Sequence, residues 1–369
     1  MRKKVIIWGV GGTTWDFLNK KGFYREFEII AFTDNNPSMW HKEYNGLKVI
    51  KPSELQNTTY DYILICSLHH LEIRKQLEES LAVECSKIIT SFDIENNIKN
   101  KVLEKYASVQ EDDIQEVVKY FRQKELNTYG SFEAARQDYL VYRDQENHPY
   151  ILFEDKRMYF PDNYKFFKVD GKEFVDYILY EHKEGSPHQY IREESEIKQD
   201  SVIVDAGVCE GNFALRYIDK AKKVYLIEAD DEWMEALKRT FQPYRDKVVF
   251  CQKFLTRYDS VNTITLDSLV TEKIDFLKMD IEGAEIDALL GGRRILQRSN
   301  ARCAVCSYHK QNDEENIRFL LESYGYSTQT SKGYMFFVYD ENIVDTLDLR
   351  RGVVYGYKNE ETSMHICNV

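Results

Sequence analysis

VIVDAGVCEGNF, residues 202–213, is an apolar run that stops at an acid and then turns twice on glycine. The unbroken run Val202–Val204 suits a strand covered on both faces, with Asp205 at its tip. Gly207 permits a sharp turn that a Cβ would hinder. Gly211 lets a ligand approach the backbone where the helix from Asn212 begins, and free amide groups there favour an anion or carboxylate. About twenty residues on, a second strand, Val224-Tyr-Leu-Ile, ends in Glu228. A carboxylate at a second strand tip can accept hydrogen bonds from both hydroxyls of a ribose. Asp205 is placed to meet the amino end of a ligand or to fix the loop. In the plainer alternative, Gly207 and Gly211 only turn the chain and Glu228 caps a helix.

The same alternation extends outward from this loop. Val248–Cys251, Phe276–Asp280 and Cys303–Ser307 read as further strands, between helices expected at 212–221, 232–241, 284–290 and 313–325. Strand–helix alternation implies a parallel sheet. Ser327–Thr330 and Tyr334–Tyr339 flank Ser331-Lys-Gly and predict a closing antiparallel hairpin. Residues 1–95 repeat the pattern, with strands at Lys4–Trp8, Phe27–Thr33 and Tyr60–Ser67 and helices at 15–21 and 71–81. Residues 96–184, charged and rich in tyrosine, read as a connector and extension, with a helix at 112–124 and short strands near 150–153 and 157–160. The expected fold is α/β, two tandem doubly wound Rossmann-like domains at 1–95 and 185–369 joined through 96–184. No internal repeat of fixed period is present.

Composition narrows the function. The 369 residues are 43% hydrophobic and 14% aromatic, enough to fill two cores. A net charge of −12 argues against a broad grip on nucleic acid. No apolar run reaches the ~18 residues of a membrane span. The opening Met-Arg-Lys-Lys resembles the charged start of a signal segment, but Gly11-Gly12 cuts the apolar stretch short, so a cytoplasmic protein is expected. Seven cysteines form no framework; Cys303 and Cys306 lie in an apolar run without a second ligand pair at zinc spacing.

At the N-terminus, VIIWGVGGTTWDFL (5–18) sets Gly9, Gly11 and Gly12 after a strand, and Asp34 ends the next one. Asp34 can hold a ribose of NAD or of a nucleotide-sugar. Position 14 is threonine, so the G-x-G-x-x-G pattern is incomplete, and no Tyr-x-x-x-Lys follows. Docking or oligomerisation is the alternative use. The stretch resembles the Rossmann-like domain that precedes acyltransferase or methyltransferase modules in sugar-modifying proteins.

Five segments taken together, VDAGVCEGNFAL, YLIEAD, TITLDSL, DFLKMDIEGAE and CSYHK, resemble the FkbM-type methyltransferases over about 185–340. The resemblance implies a class I methyltransferase fold, S-adenosylmethionine as cofactor and a hydroxyl as acceptor. It assigns cofactor contacts to Asp205, Gly207, Glu210, Gly211, Asn212, Glu228 and Asp280. Cys209 stands where the general class I loop has its central glycine, and Glu210 precedes Gly211; loops with Glu-Gly occur in the family.

Methyl transfer asks mainly for alignment and for a base to take the hydroxyl proton. Asp280 ends the fourth strand, Glu282 lies two residues on, and His309 follows the fifth strand at the same sheet edge. His309 is the preferred base, with Asp280 orienting it or the acceptor. In plainer roles, Asp280 and Glu282 cap the helix near Ala284 and His309 is a solvated loop residue. Asp280, Glu282 and His309 could also share a divalent metal ion. Upstream, EHKEGSPHQY (181–190) resembles a family segment and offers Ser186, His188 and Tyr190 to the site entrance, or else forms a polar turn around Pro187. The combined expectation is a methyltransferase acting on a sugar or glycan hydroxyl, in surface polysaccharide biosynthesis, able to form a homo-oligomer. The competing readings are an NAD-dependent nucleotide-sugar oxidoreductase and a non-catalytic nucleotide-binding module.

Overall fold

The computed structural model describes residues 2–135, 137–175 and 180–358. The chain divides into two compact units, Met1–Thr128 with Phe336–Asp348, and Tyr129–Met335 with Leu349–Val369. The stretch 96–184 is thereby shared out. Its helices Ser91–Tyr106 and Asp112–Gln123 fall in the first unit, and its short strands in the second.

In the first unit, six strands run in the spatial order Glu43–Tyr44, Leu47–Ile50, Phe27–Thr33, Lys3–Trp8, Tyr62–Ile65, Ile88–Thr90. All neighbours are parallel except the edge pair Glu43–Tyr44 and Leu47–Ile50. Val5, Ile6 and Ile7 are fully buried, as a continuous apolar run in a sheet covered on both faces requires. The glycine loop is held from both sides. Gly9 N donates to Thr33 O at 2.8 Å, and Asp34 accepts from Val10 N at 3.2 Å and from Asn36 N at 2.8 Å. Thr14, where the pattern lacks its last glycine, is buried and donates to Cys66 O at 3.2 Å.

The loop's glycines are not equivalent. At φ +120° a Cβ on Gly9 would stand 2.6 Å from Cys66 O, whereas one on Gly12 meets nothing within 4 Å. Gly9→Ala is therefore expected to cost about 2 kcal/mol or more through strain and overlap. Gly12→Ala, inside helix Gly12–Asn19, is expected to be neutral or to stabilise by up to about 1 kcal/mol. Urea melts of the two variants check the pair; equal midpoints would refute the distinction.

The segment Phe336–Asp348 belongs to this unit by direct bonding. Phe336 N donates to Thr128 O at 2.9 Å, Arg25 pairs with Asp345 through Nη1 and Nη2, and Lys105 reaches Asp348 at 2.9 Å. The hairpin expected at 327–339 is consequently not formed. Among the described residues Tyr334–Tyr339 is no strand, and Ser327–Thr330 pairs antiparallel with Val353–Tyr357 instead. The Ser331 turn chemistry is real but serves the distant strand: its hydroxyl accepts from Gly352 N at 3.2 Å and Val353 N at 3.1 Å.

The second unit is built on seven strands in the order Val248–Cys251, Ala221–Ile227, Ser201–Ala206, Phe276–Met279, Arg302–Cys306, Val353–Tyr357, Ser327–Thr330. The first five are mutually parallel, and Val353–Tyr357 is antiparallel to both of its neighbours. The chain therefore leaves Ser201–Ala206, Ala221–Ile227, Phe276–Met279 and Arg302–Cys306 at one common edge. A large apolar cluster, including Val204, Leu277, Leu289 and Val305, packs beneath that edge.

Candidate active site

Every residue of strand Ser201–Ala206 is buried, and the chain emerges from it at Gly207, whose N–H is fixed to Ile227 O at 2.9 Å. Gly207 has φ +73°, and a Cβ there would lie 1.6 Å from Asp280 O. The glycine thus lets two strand ends touch. Cys209 and Gly211 follow at φ +45° and +80°. The space a Gly211 Cβ would take is filled by Leu237 at 2.7 Å and Phe241 at 3.0 Å. Gly211 thereby lets the loop pack closely against helix Asp231–Thr240 and Phe241. Glu210 is half-buried, and Asn212 is buried with its Oδ1 accepting from Phe213 N at 2.6 Å.

Two acids hold the loop. Glu228 accepts from Cys209 N at 3.0 Å and from Asp230 N at 2.9 Å. Each carboxylate oxygen so used keeps a second lone pair. Asp205 is fully buried and pairs with Lys278 at 3.2 Å. The Lys278 ammonium also donates to Gly207 O and, at 3.4 Å, to Ala206 O. Burial works against the lysine's charge, but Asp205 and Asp280 outweigh it and hold its pKa above the usual value. Asp205 therefore acts on the loop through Lys278.

Asp280 is the hub of the edge. Its Oδ2 accepts from Tyr190 OH at 2.6 Å and lies 3.2 Å from His188 Nε2; Tyr308 OH is 3.3 Å from Oδ1. His309 Nε2 stands 3.4 Å from Oδ1. Burial alone would raise this carboxyl, but His188, His309 and Lys278 hold it well below the ordinary range. His188 shows the mirror effect: burial lowers it, and the bond to Asp280 and the nearby Glu181 charge outweigh that and raise it to about 9. Lys278 lies 5.2 Å over the Tyr190 ring, which fixes that ring from a third side.

The segment 181–190, expected at an entrance, is turned inward. Ser186, His188 and Tyr190 are all buried, and Ser186 Oγ accepts from His188 N at 3.1 Å, locking the turn. Glu282, expected beside His309, points outward. Its side chain is 87% exposed and 3.7 Å from His309 Nε2. Glu285 seats the imidazole instead: buried, it stands 3.2 Å from His309 Nδ1 and accepts from Ile281 N at 2.9 Å. Among the described residues, the carboxylate grouped with Asp280 and His309 at ligand distance is Glu285, in place of the expected Glu282. Burial lowers the His309 pKa, and Glu285 and Asp280 more than compensate, so it is raised.

Lys278, Glu285 and Tyr308 were not singled out from the sequence, although all three lie in the quoted segments. A lysine between Leu277 and Met279 in a buried strand is itself a signal, because lysine is almost never fully buried unless paired.

Two family models match the chain: "C2185-like, N-terminal" over residues 1–89 and "Methyltransferase FkbM domain" over residues 225–328. The second span contains Glu228, Lys278, Asp280, Glu285 and His309, while the loop 207–211 and the segment 181–190 precede it. No curated protein matches. Among solved structures, a methyltransferase FkbM from Methylobacillus flagellatus is similar at 16% identity, with 96% of this chain and 90% of that one covered and a TM-score of 0.48. A putative methyltransferase from Streptococcus mutans in complex with SAH is similar at 14% identity, over 44% and 91% of the two chains, TM-score 0.33. Magnesium protoporphyrin IX methyltransferase from Synechocystis with bound SAM is similar at 13% identity, over 45% and 73%, TM-score 0.32. Much of the parallel sheet edge built around Asp280 lies within residues 225–328, the span that is similar to the FkbM methyltransferase domain.

Proposed function

We propose that this chain is an S-adenosylmethionine-dependent O-methyltransferase of class I fold, acting on a hydroxyl of a sugar or glycoconjugate in surface polysaccharide biosynthesis. One observation carries the reading. The loop at Gly207, the carboxylate of Glu228 and the Asp280 cluster stand at neighbouring strand ends of one parallel sheet. Ligands of doubly wound sheets bind outside the carboxyl ends of the strands.

The donor and acceptor groups suit such a cofactor. Glu228 has spare lone pairs for a ribose diol, on a carboxylate already held still by two backbone N–H groups. When bound, the sulfonium supplies an electrophilic methyl group. The chain's own part is orientation and the proton. Glu285 fixes the His309 ring through Nδ1, and Asp280, kept ionised by its donors, stands 3.4 Å from Nε2, where it would stabilise the imidazolium once the proton is taken. Nε2, on the Asp280 side, is the atom we assign to take the acceptor's proton. The raised pKa makes the neutral imidazole a stronger acceptor and leaves less of it neutral at pH 7. We read the first unit as a second Rossmann-like domain that offers Asp34 and its glycine loop to a nucleotide or nucleotide-sugar.

Calorimetry with S-adenosylmethionine tests the assignment. Glu228→Ala is expected to weaken binding about 10- to 100-fold, the loss of one or two charge-assisted hydrogen bonds. Glu228→Gln, which keeps an acceptor for Cys209 N–H, is expected to lose less. Heat with NAD and none with S-adenosylmethionine would overturn the reading.

A further inference from the structure

The turn that delivers His188 to Asp280 also gathers three metal-ligating side chains around one point. Glu181, His182 and His188 each offer a ligand atom, and these atoms lie within 4.8 Å of one another. His182 Nε2 is 3.4 Å from Glu181 Oε1, and His188 Nδ1 is 3.6 Å from Glu181 Oε2. Both nitrogens are sealed from solvent and, among the described residues, have no hydrogen-bond partner. The His188 side chain is only 3% exposed.

Those separations are too long for N–H···O bonds, which run about 2.7–3.2 Å. The 3.4 Å from His182 Nε2 to Glu181 Oε1 matches the edge of a tetrahedron, since ligands about 2.0–2.1 Å from a central ion stand roughly 3.3–3.4 Å apart. Two buried imidazole nitrogens without partners are costly, and one ion between them and the carboxylate would satisfy both. We propose that Glu181, His182 and His188 form a site for one divalent transition-metal ion of the zinc type, with a fourth position left for water or a substrate oxygen.

The surroundings are those a ligated histidine needs. A metal-bound imidazole commonly gives its other N–H to a carboxylate, and His188 Nε2 faces Asp280 Oδ2 at 3.2 Å. Glu181 is fixed by Tyr129, whose hydroxyl donates to Oε2 and leaves Oε1 for an ion. The Tyr129 ring lies nearly parallel to His188, with 15° between planes and centroids 6.3 Å apart. The turn between the two histidines is pinned by Ser186 N to Lys183 O at 3.0 Å and Gln189 N to Ser186 O at 3.2 Å. His182 also lines a cavity of about 420 Å³ with Tyr190, Asn212 and Arg216, which gives a path to the site. Two nitrogens and one carboxylate are a donor set that suits zinc and other first-row ions over magnesium or calcium.

The proposal is independent of the methyl-transfer reading, because its test uses the metal alone. Full-length protein, dialysed against a chelator, is titrated with Zn²⁺ by calorimetry and with Co²⁺ by visible absorption. We expect one ion per chain and the intense Co²⁺ bands of a four-coordinate site. His182→Gln, folded by far-ultraviolet dichroism, should bind about tenfold or more weakly, and His309→Gln should bind like the parent. Absence of saturable binding in the parent protein overturns the site, whatever the variants do. Equal affinity in His182→Gln, or loss confined to His309→Gln, also overturns it and moves the ion elsewhere.

Discussion

Gly207→Ala is expected to lose about 4 kcal/mol or more of stability in the second unit, with the S-adenosylmethionine heat disappearing alongside. Two effects add. At φ +73° the alanine backbone is strained, which costs of order 1 kcal/mol. Its Cβ would also fall 1.6 Å from Asp280 O, nearer than any non-bonded pair can stand. The neighbour is backbone at a strand end, so no side chain can swing aside. The loop has to leave its bond to Ile227 O, and Lys278 then loses Gly207 O. Thermal melts measure the loss, at about 2–4 °C per kcal/mol for a unit of this size. A melting temperature within about 2 °C of the parent would show that the strand ends do not approach as described.

Lys278→Met is expected to cost roughly 3–5 kcal/mol, because it strands the Asp205 charge in the core. The side chains of Lys278 and Asp205 are 5% and 1% exposed, so water cannot take over the pairing. The pair is weak evidence of net stabilisation by itself, since desolvating two charges offsets much of their attraction. That asymmetry makes the double variant informative. Asp205→Leu with Lys278→Met removes both charges and is expected to regain most of the lost stability. It would not regain the bonds to Gly207 O and Ala206 O, so cofactor binding should stay weak while the fold recovers. Urea melts and calorimetry on the two proteins separate these outcomes. A Lys278→Met protein as stable as the parent would remove the ion pair from the account of the loop.

The strands around the loop were legible because their signal is local. Val248–Cys251 and Ser327–Thr330 stand where apolar runs and turn residues put them, and most others agree to within a few residues. Helix Ser91–Tyr106 was missed although its start was readable: Thr90 and Asp93 form a capping box, each side chain bonding the other's N–H. Strand Val353–Tyr357 was missed for a different reason. The excursion 331–352 intervenes, and no local pattern says that the chain returns from Phe336–Asp348 to the sheet it left.

The sequence by itself determined the placement of Gly207, Glu228, Asp280 and His309 at strand ends, because apolar periodicity and glycine turns are properties of neighbouring residues. Only the tertiary structure decided which of these side chains meet. Asp280 is bound to His188, 92 residues away, Lys278 is spent on Asp205, and Glu285 displaces Glu282 beside His309. Such partnerships depend on sheet order, on which face a side chain leaves the strand, and on which charges burial forces together, and none of these is written in any one stretch of chain.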